Sequence, residues 1–243
     1  MLKIENIEIH GWEPAIRGMR NPKNSWANSD STNEENCDEC IYYEDYTVCK
    51  YNHIHECLNF KAGPNDFNLM TTLRNAGTDH RKFMRMIVVY MDVTAPLYWW
   101  KEYDTYKVGT VANSCSTMHK IADKEFKDDD FSVEHIFDNE SEGVEFPIIY
   151  GKEHSPIWSF HMTLKILNFY REKYLETKDK KYWWQMVQLL PSSYNQRRTV
   201  MLNYEVLANI YKSRRNHKLD EWHTFCDLIE SLPYSELIIG KLN

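Results

Sequence analysis

Apolar and polar residues alternate from Leu2 to Ile9, the period of two that predicts a half-buried strand. Glu13 to Met19 predicts a short helix. A polar run, R-G-M-R-N-P-K-N-S-W, follows it, and Pro22 breaks the chain there. Ser29 to Asn36 is polar and acidic without periodicity, the pattern of a loop. Pro64 to Ala76 predicts a helix with Phe67, Met70 and Leu73 on one face, closed by Gly77. Met86 to Val93, rich in Val and Ile, predicts a buried strand. Pro96 fixes its own φ and starts a new element. Leu97 to Tyr106 then mixes aromatics and charges at helical spacing, and the small residues Gly109 to Ser116 predict a polar turn. Asp128 to Phe131 reads as a turn and Glu142 to Tyr150 as irregular chain. Ser159 to Thr177 and Lys181 to Leu190 are amphipathic helices. A further long helix is expected to start at Ser192 or Ser193 and run through Val200, Tyr204 and Leu207 to Tyr211. Leu219 to Leu232 predicts the last helix, with Trp222, Phe225 and Ile229 on its apolar stripe. Few strands, several helices and no internal repeat predict an α+β fold.

Composition narrows the picture. A chain of 243 residues can bury one substantial core. Residues 1–243 are therefore read as a single α+β domain, with 28–60 as a cysteine-rich insertion within it. The 8 Trp and 16 Tyr are many, which suits either a large core or ring-stacking surfaces. A net charge of -7 argues against general nucleic-acid binding, which needs a basic face. It leaves room for a nucleotide pocket, where a few local cations suffice. No run approaches the ~18 apolar residues of a membrane span, and the N-terminus has no apolar signal-peptide region. The expectation is a cytoplasmic protein with reduced thiols.

Several clusters carry candidate chemistry. Cys37, Cys40, Cys49 and Cys57 form C-x2-C-x8-C-x7-C, with His53 and His55 between. A two-residue spacer places two thiolates on one side of a turn, as a tetrahedral metal needs. The segment has little apolar content, so a structural zinc would hold it together. The second pair lacks that spacing, and free thiols or a redox pair remain the alternative. Arg17, Arg20, Asn21, Asn24 and Trp26 make a basic, amide-rich stretch. It suits phosphate, whose oxygens match an arginine fork, or else is a solvated loop. Arg197 and Arg198, then Arg214, Arg215 and His217, bracket one predicted helix. Cations near a helix C-terminus are favoured without any ligand. Cys115 and Cys226 are isolated, and His119 is a base for Cys115 by spacing alone.

The stretch Ala95 to Ser116, A-P-L-Y-W-W-K-E-Y-D-T-Y-K-V-G-T-V-A-N-S-C-S, resembles the signature region of the flavin-dependent thymidylate synthases. There a strand ends in A-P, a helix carries R-Q-W, and R-H-R-x-x-S-x-N-E-x-S follows. Ala95 and Pro96 match outright. Lys101, Glu102 and Tyr103 take the place of R-Q-W, and Thr105, Tyr106 and Lys107 that of R-H-R. Thr110, Asn113 and Ser116 take the serine, asparagine and serine places if one residue is inserted. Asn203 to Trp222 resembles the family's C-terminal helix pair, N-x-R-x-L-x-x-F-x-x-x-R followed by A-Q-x-E-I-R. Asn203, Leu207 and Arg214 match; Glu205 stands where an arginine is usual, and Leu219 and Asp220 stand for A-Q. The resemblance covers roughly residues 60 to 230 and points to relatives in phages and Gram-positive bacteria.

The resemblance implies a central mixed or antiparallel sheet packed with several long helices. It implies FAD as cofactor and a dUMP-like pyrimidine nucleotide as ligand. It also implies a homo-oligomer, by family a tetramer with sites between subunits. The implied ligand set is Lys101, Glu102, Tyr103, Tyr106, Lys107, Thr110, Asn113, Ser114, Ser116, Asn203 and Arg214. The cation clusters add Arg17, Arg20, His80 and Arg81. His80, Arg81, Lys82 and Arg85, just before the central strand, hold a phosphate or flavin, or else are solvated. Lys101 and Lys107 would neutralise phosphate, and Tyr103 and Tyr106 would stack on a ring. The alternative packs Trp99, Trp100 and Tyr103 in the core and leaves Lys101 in solvent. No catalytic residue is assigned. Two other readings stand beside an enzyme: a non-catalytic protein that binds or sequesters a nucleotide on the same fold, and a zinc-stapled interaction module.

Overall fold

The computed structural model describes residues 2–35, 58–139, 143–145 and 153–240. The cysteine cluster of Cys37, Cys40, Cys49 and Cys57 lies outside the described residues. The strands are β1 (Lys3–His10), β2 (Thr32–Glu35), β3 (Leu58–Lys61), β4 (Val88–Pro96), β5 (Val111–Ser114), β6 (Val144–Glu145), β7 (Glu153–His154) and β8 (Asn195–Asn203). The helices are α1 (Trp12–Arg20), α2 (Pro64–Asn75), α3 (Leu97–Tyr103), α4 (Pro156–Thr177), α5 (Lys180–Leu189), α6 (Tyr204–Arg214), α7 (Asp220–Ser231) and α8 (Glu236–Ile239). This is the expected α+β class, with a four-stranded antiparallel sheet.

Three segments differ from the sequence reading. One is Ser29 to Asn36, expected as a loop, where Thr32–Glu35 forms strand β2 because it pairs antiparallel with β3. Residues 195–203 form strand β8, not the start of a helix; Gln196, Val200 and Leu202 are buried at a period of two. The helix begins only after Asn203, whose Oδ1 accepts from the Val206 amide at 3.0 Å as an N-cap. The supposed turn 109–116 contains β5, which pairs antiparallel with β8 from Val111↔Met201 to Ser114↔Arg198.

The chain forms two compact units. The first comprises residues 1–7, 90–201 and 216–225. Its sheet runs in the order β1-β4-β8-β5, which makes β5 an edge strand. Two apolar clusters fill this unit. One joins Trp99, Trp100, Tyr103, Trp222 and Phe225. The other holds Phe126, Phe131, Phe160, Leu167 and Met186 under α4 and α5. Ser155 opens α4 as its N-cap, accepting from the Trp158 amide.

The second unit comprises residues 8–89, 202–215 and 226–243. Trp12 stacks on Phe60 at 5.0 Å and meets Tyr204 and Tyr234 edge-on. Gly11 must be glycine: its φ is 95°, and a Cβ there would sit 2.0 Å from the Met86 carbonyl oxygen. Gly77, at φ 105°, follows α2 as the sequence implies. No helix among the described residues is long and apolar enough to cross a membrane.

Candidate functional site

The signature segment has two faces. Helix α3 turns Trp99, Trp100 and Tyr103 inward, the i, i+1, i+4 spacing of one buried stripe. Trp99 lies 4.9 Å from Trp100, 5.2 Å from Tyr103 and 4.7 Å from Trp222. The Trp100 indole donates to the Gln196 carbonyl at 2.9 Å. The Arg198 guanidinium sits 4.2 Å over the Trp100 ring and donates to Asp104 at 2.8 Å. Tyr103 is 2% exposed, and burial pushes its phenol well above the usual range. It is a core ring here, with no face open to a stacked ligand. Lys101 points from the same helix to solvent.

Glu102 is half-buried and closes a polar cluster against this core. Its Oε2 accepts from the Trp222 indole at 3.2 Å and lies 3.2 Å from His217 Nε2. The Leu219 amide donates to His217 Nδ1 at 3.2 Å. A neutral His217 ring therefore carries its proton on Nε2, facing Glu102. Tyr106 is half-buried beside Trp222, at 6.2 Å between ring centroids. Thr110 spends its hydroxyl on the Tyr106 carbonyl at 2.7 Å.

From Lys107 onward the segment opens to solvent. Lys107, Asn113 and Ser114 are exposed, as is every residue of β5. Val108 and Val111 are 86% and 59% exposed. Ser116 accepts from the His119 amide at 3.0 Å and lines a cleft of about 450 Å³ with Cys115, Thr94, Tyr194, Gln196 and Arg197. Gln196 fixes the cleft wall by donating to the Cys115 carbonyl at 2.8 Å. The cleft's cations already face carboxylates: Lys120 with Asp123 at 2.8 Å, Lys124 with Asp130, and Arg197 with Asp92 at 2.8 Å. An anionic ligand there would have to take a cation from its carboxylate. Among the described residues no hydrogen bond joins Cys115 to His119, so the structure gives Cys115 no base.

In the second unit the matched cations and their neighbours are mostly committed. Arg20 is 4% exposed, and its guanidinium holds Asp66 at 2.7 and 2.6 Å. Asp66 also accepts from Ser29, the Asp30 amide, the Ser31 amide and the Ser31 hydroxyl. Burial alone would raise the Asp66 pKa; the hydrogen bonds of Ser31, Ser29, Arg20 and Asp30 outweigh it and hold the carboxyl below its ordinary range. Glu205, 7% exposed in its side chain, takes both Arg81 and Arg85. Burial pushes against ionisation there too, and the two arginines reverse it. Asn203 is a helix cap. His80 is exposed, Arg17 lines a separate cleft, and Arg214 ends α6 half-buried.

Sequence reasoning missed Asp66, Asp92 and Gln196. Asp66 looks like any acid in the first turn of a helix, so nothing local signals its partners.

No known family pattern matches the sequence, and neither does any curated protein. Solved structures do match. Thymidylate synthase X (ThyX) from Helicobacter pylori with FAD and dUMP is 15% identical, covers 99% of this chain and 98% of its own, and gives a TM-score of 0.61. A second Helicobacter pylori ThyX complex with FAD and dUMP is 14% identical over 98% of this chain and 100% of its own, at a TM-score of 0.58. PolB, a UMP/dUMP methylase from Streptomyces cacaoi bound with 5-Br dUMP, is 10% identical over 95% of this chain and 88% of its own, at 0.52. At these identities the likeness is one of architecture: the chain has the fold of the flavin-dependent thymidylate synthases.

Proposed function

We propose that this chain binds FAD and acts on a dUMP-like pyrimidine nucleotide. The observation that carries the reading is the exposure of the signature segment, in a chain whose fold matches ThyX almost end to end. Residues 107–115 are in solvent or partly so, apolar and polar groups interleaved. That set fits a flavin nucleotide. Lys101 and Lys107 supply charge for phosphates; Asn113, Ser114 and Ser116 supply hydrogen bonds to phosphates or a ring edge; Val108 and Val111 offer an apolar strip that a planar ring would cover. FAD, when bound, supplies the redox chemistry, and the protein supplies position and charge. Arg17 belongs to a different cleft, and Arg20 and Arg81 are held by Asp66 and Glu205, so the proposed ligand contacts are those of the signature segment.

One observation favours a second reading, a nucleotide-binding protein without turnover. The family's planar arginine forks are replaced by Thr105 and Lys107, and lysine is a point charge. At the third arginine place stands Glu205, locked between Arg81 and Arg85. Both readings carry the expectation of one cytoplasmic α+β domain assembled as a homo-oligomer, by resemblance a tetramer, with either structural zinc or free thiols at Cys37, Cys40, Cys49 and Cys57.

Native mass spectrometry of the purified chain reads subunit number, zinc, flavin and nucleotide together. The expected result is a flavin-coloured oligomer that binds dUMP. Replacing Lys107 by Ala is expected to weaken binding about tenfold, the worth of one charge-assisted contact. A colourless protein that takes up neither FAD nor dUMP would end the proposal. Nucleotide binding without flavin selects the second reading.

A further inference from the structure

The second unit holds a cleft that the reading above does not need. Its walls come from α1, the loop after it, β2 and β3, and its volume is about 240 Å³. Trp26 is 50% exposed at its mouth, the indole nitrogen pinned to Asn21 Oδ1 at 2.8 Å. Phe60 lines the same cleft, half-buried, with one face already covered by the parallel ring of Trp12 at 5.0 Å. Arg17 lines the same cleft, and among the described residues its guanidinium has no carboxylate partner. At another edge Glu13 accepts from the Asn33 side-chain amide.

The loop that presents Trp26 is rigidly built. Arg20 donates to the Ser25 carbonyl at 3.2 Å and reaches the fully buried Asp66, onto which Ser29 and Ser31 also fold. Asp30 returns the contact by accepting from the Asn65 and Asp66 amides, at 2.9 and 3.1 Å. Gly63 closes the packing: a Cβ there would meet Asp30 at 2.3 Å. Burying a charge costs several kcal/mol unless it is fully paired. Here the Asp66 carboxylate accepts from Arg20, Ser29, Asp30 and Ser31, and these bonds tie down the loop while a large aromatic ring is left in water. A partly exposed aromatic held by its loop, beside a cation with no carboxylate partner among the described residues, suits a small ligand.

We propose that this cleft binds a single planar ring carrying one acidic group. The ring stacks on Trp26 beside the rim of Phe60. The acidic group takes the Arg17 fork, and a hydrogen-bond donor on the opposite edge of the ring faces Glu13. The volume suits one ring rather than a dinucleotide. The proposal stands apart from the flavin reading, and either can fail alone.

The test uses the full chain and ligand-observed NMR with calorimetry. The probes are 4-hydroxybenzoate, uridine monophosphate, phenol and inorganic phosphate; the first two separate an aromatic acid from a nucleotide as the source of the ring. At least one of those two is expected to bind, about tenfold or more tighter than phenol or phosphate, since each lacks half of the recognition. Arg17→Gln and Trp26→Ala should each weaken that probe about tenfold. Both side chains are exposed, so the melting temperature should hold. Lys107→Ala should leave 4-hydroxybenzoate binding unchanged, and uridine monophosphate counts for this cleft only where Arg17→Gln and Trp26→Ala weaken it. Absence of binding by both acidic rings overturns the proposal, as does equal binding of phenol or phosphate, or unchanged affinity in the Arg17 and Trp26 variants.

Discussion

The two units treat their charged side chains in opposite ways. In the first, the cations around the Ser116 cleft are exposed, Lys120 at 71% and Arg197 at 47%, while their partners range from Asp123 at 57% to Asp92 and Asp130 at 15%. In the second, Asp66 is fully buried and Glu205 nearly so, each held by arginines. Surface pairs are worth about 0–1 kcal/mol and exchange readily. Buried pairs cannot lose one partner without leaving a charge in a low-dielectric interior. Proximity to a cation-rich motif therefore means different things in the two units. In the first it marks groups that a ligand can recruit. In the second it marks architecture, except at Arg17.

The largest test of that contrast is Asp66→Ala. Removing the carboxylate orphans the buried Arg20 guanidinium and frees the serine loop, at an expected cost of about 3–5 kcal/mol. Urea unfolding measures it. Asp66→Asn keeps the shape and isolates the charge. The sign of the pH dependence follows from the lowered pKa. The contribution is full above the ordinary carboxylate range and is lost as pH falls through the folded value. The Asn variant should lack that acid limb. A loss under about 1 kcal/mol would place Asp66 with the surface pairs.

Next in size is Glu205→Arg, which restores the arginine usual in the resembled family. Beside Arg81 and Arg85 it would gather three guanidinium groups and remove their counter-charge. An expected destabilisation of about 2–3 kcal/mol follows. Glu205→Gln should cost less, because it adds no positive charge. Pairing Glu205→Arg with Arg85→Gln should recover part of the loss in a double-mutant cycle. Full tolerance of the single arginine would mean that the position is open to a ligand after all.

These contrasts were only partly legible in the sequence. Helices α2, α4, α5 and α7 announce themselves because their apolar positions recur at the helical period. Strand β8 was hidden by coincidence. Val200, Tyr204, Leu207 and Tyr211 keep helical spacing across the strand-to-helix junction, while the strand's own alternation of Gln196, Val200 and Leu202 is interrupted by arginines. Strand β5 is a short run of small residues, Val-Ala-Asn-Ser, whose extended state comes from its partner strand, a long-range fact. The Tyr103 ring was legible either way: its spacing from Trp99 and Trp100 is that of a buried helix face, and the ligand reading overrode it. Asp66 was out of reach, because its donors come from 35 to 46 positions away in the chain.

The smallest effect decides what Arg197 is for. Asp92 accepts from Thr199, from Arg197 at 2.8 Å and from Asn6 at 2.8 Å, and these bonds, Thr199 first, lower its pKa to about 2. Its stabilisation is present at neutral pH and fades as pH falls from the ordinary carboxylate value toward about 2. Solvent screening keeps it to about 1 kcal/mol. Asp92→Asn should remove that amount and the acid limb with it, read by thermal unfolding across pH. It should also release Arg197 into the cleft beside Ser116. If dUMP then binds more tightly while stability falls slightly, the first unit's charges are exchangeable and Arg197 is a latent phosphate fork. If stability and affinity fall together, Arg197 is structural, and the difference between the two units is one of degree.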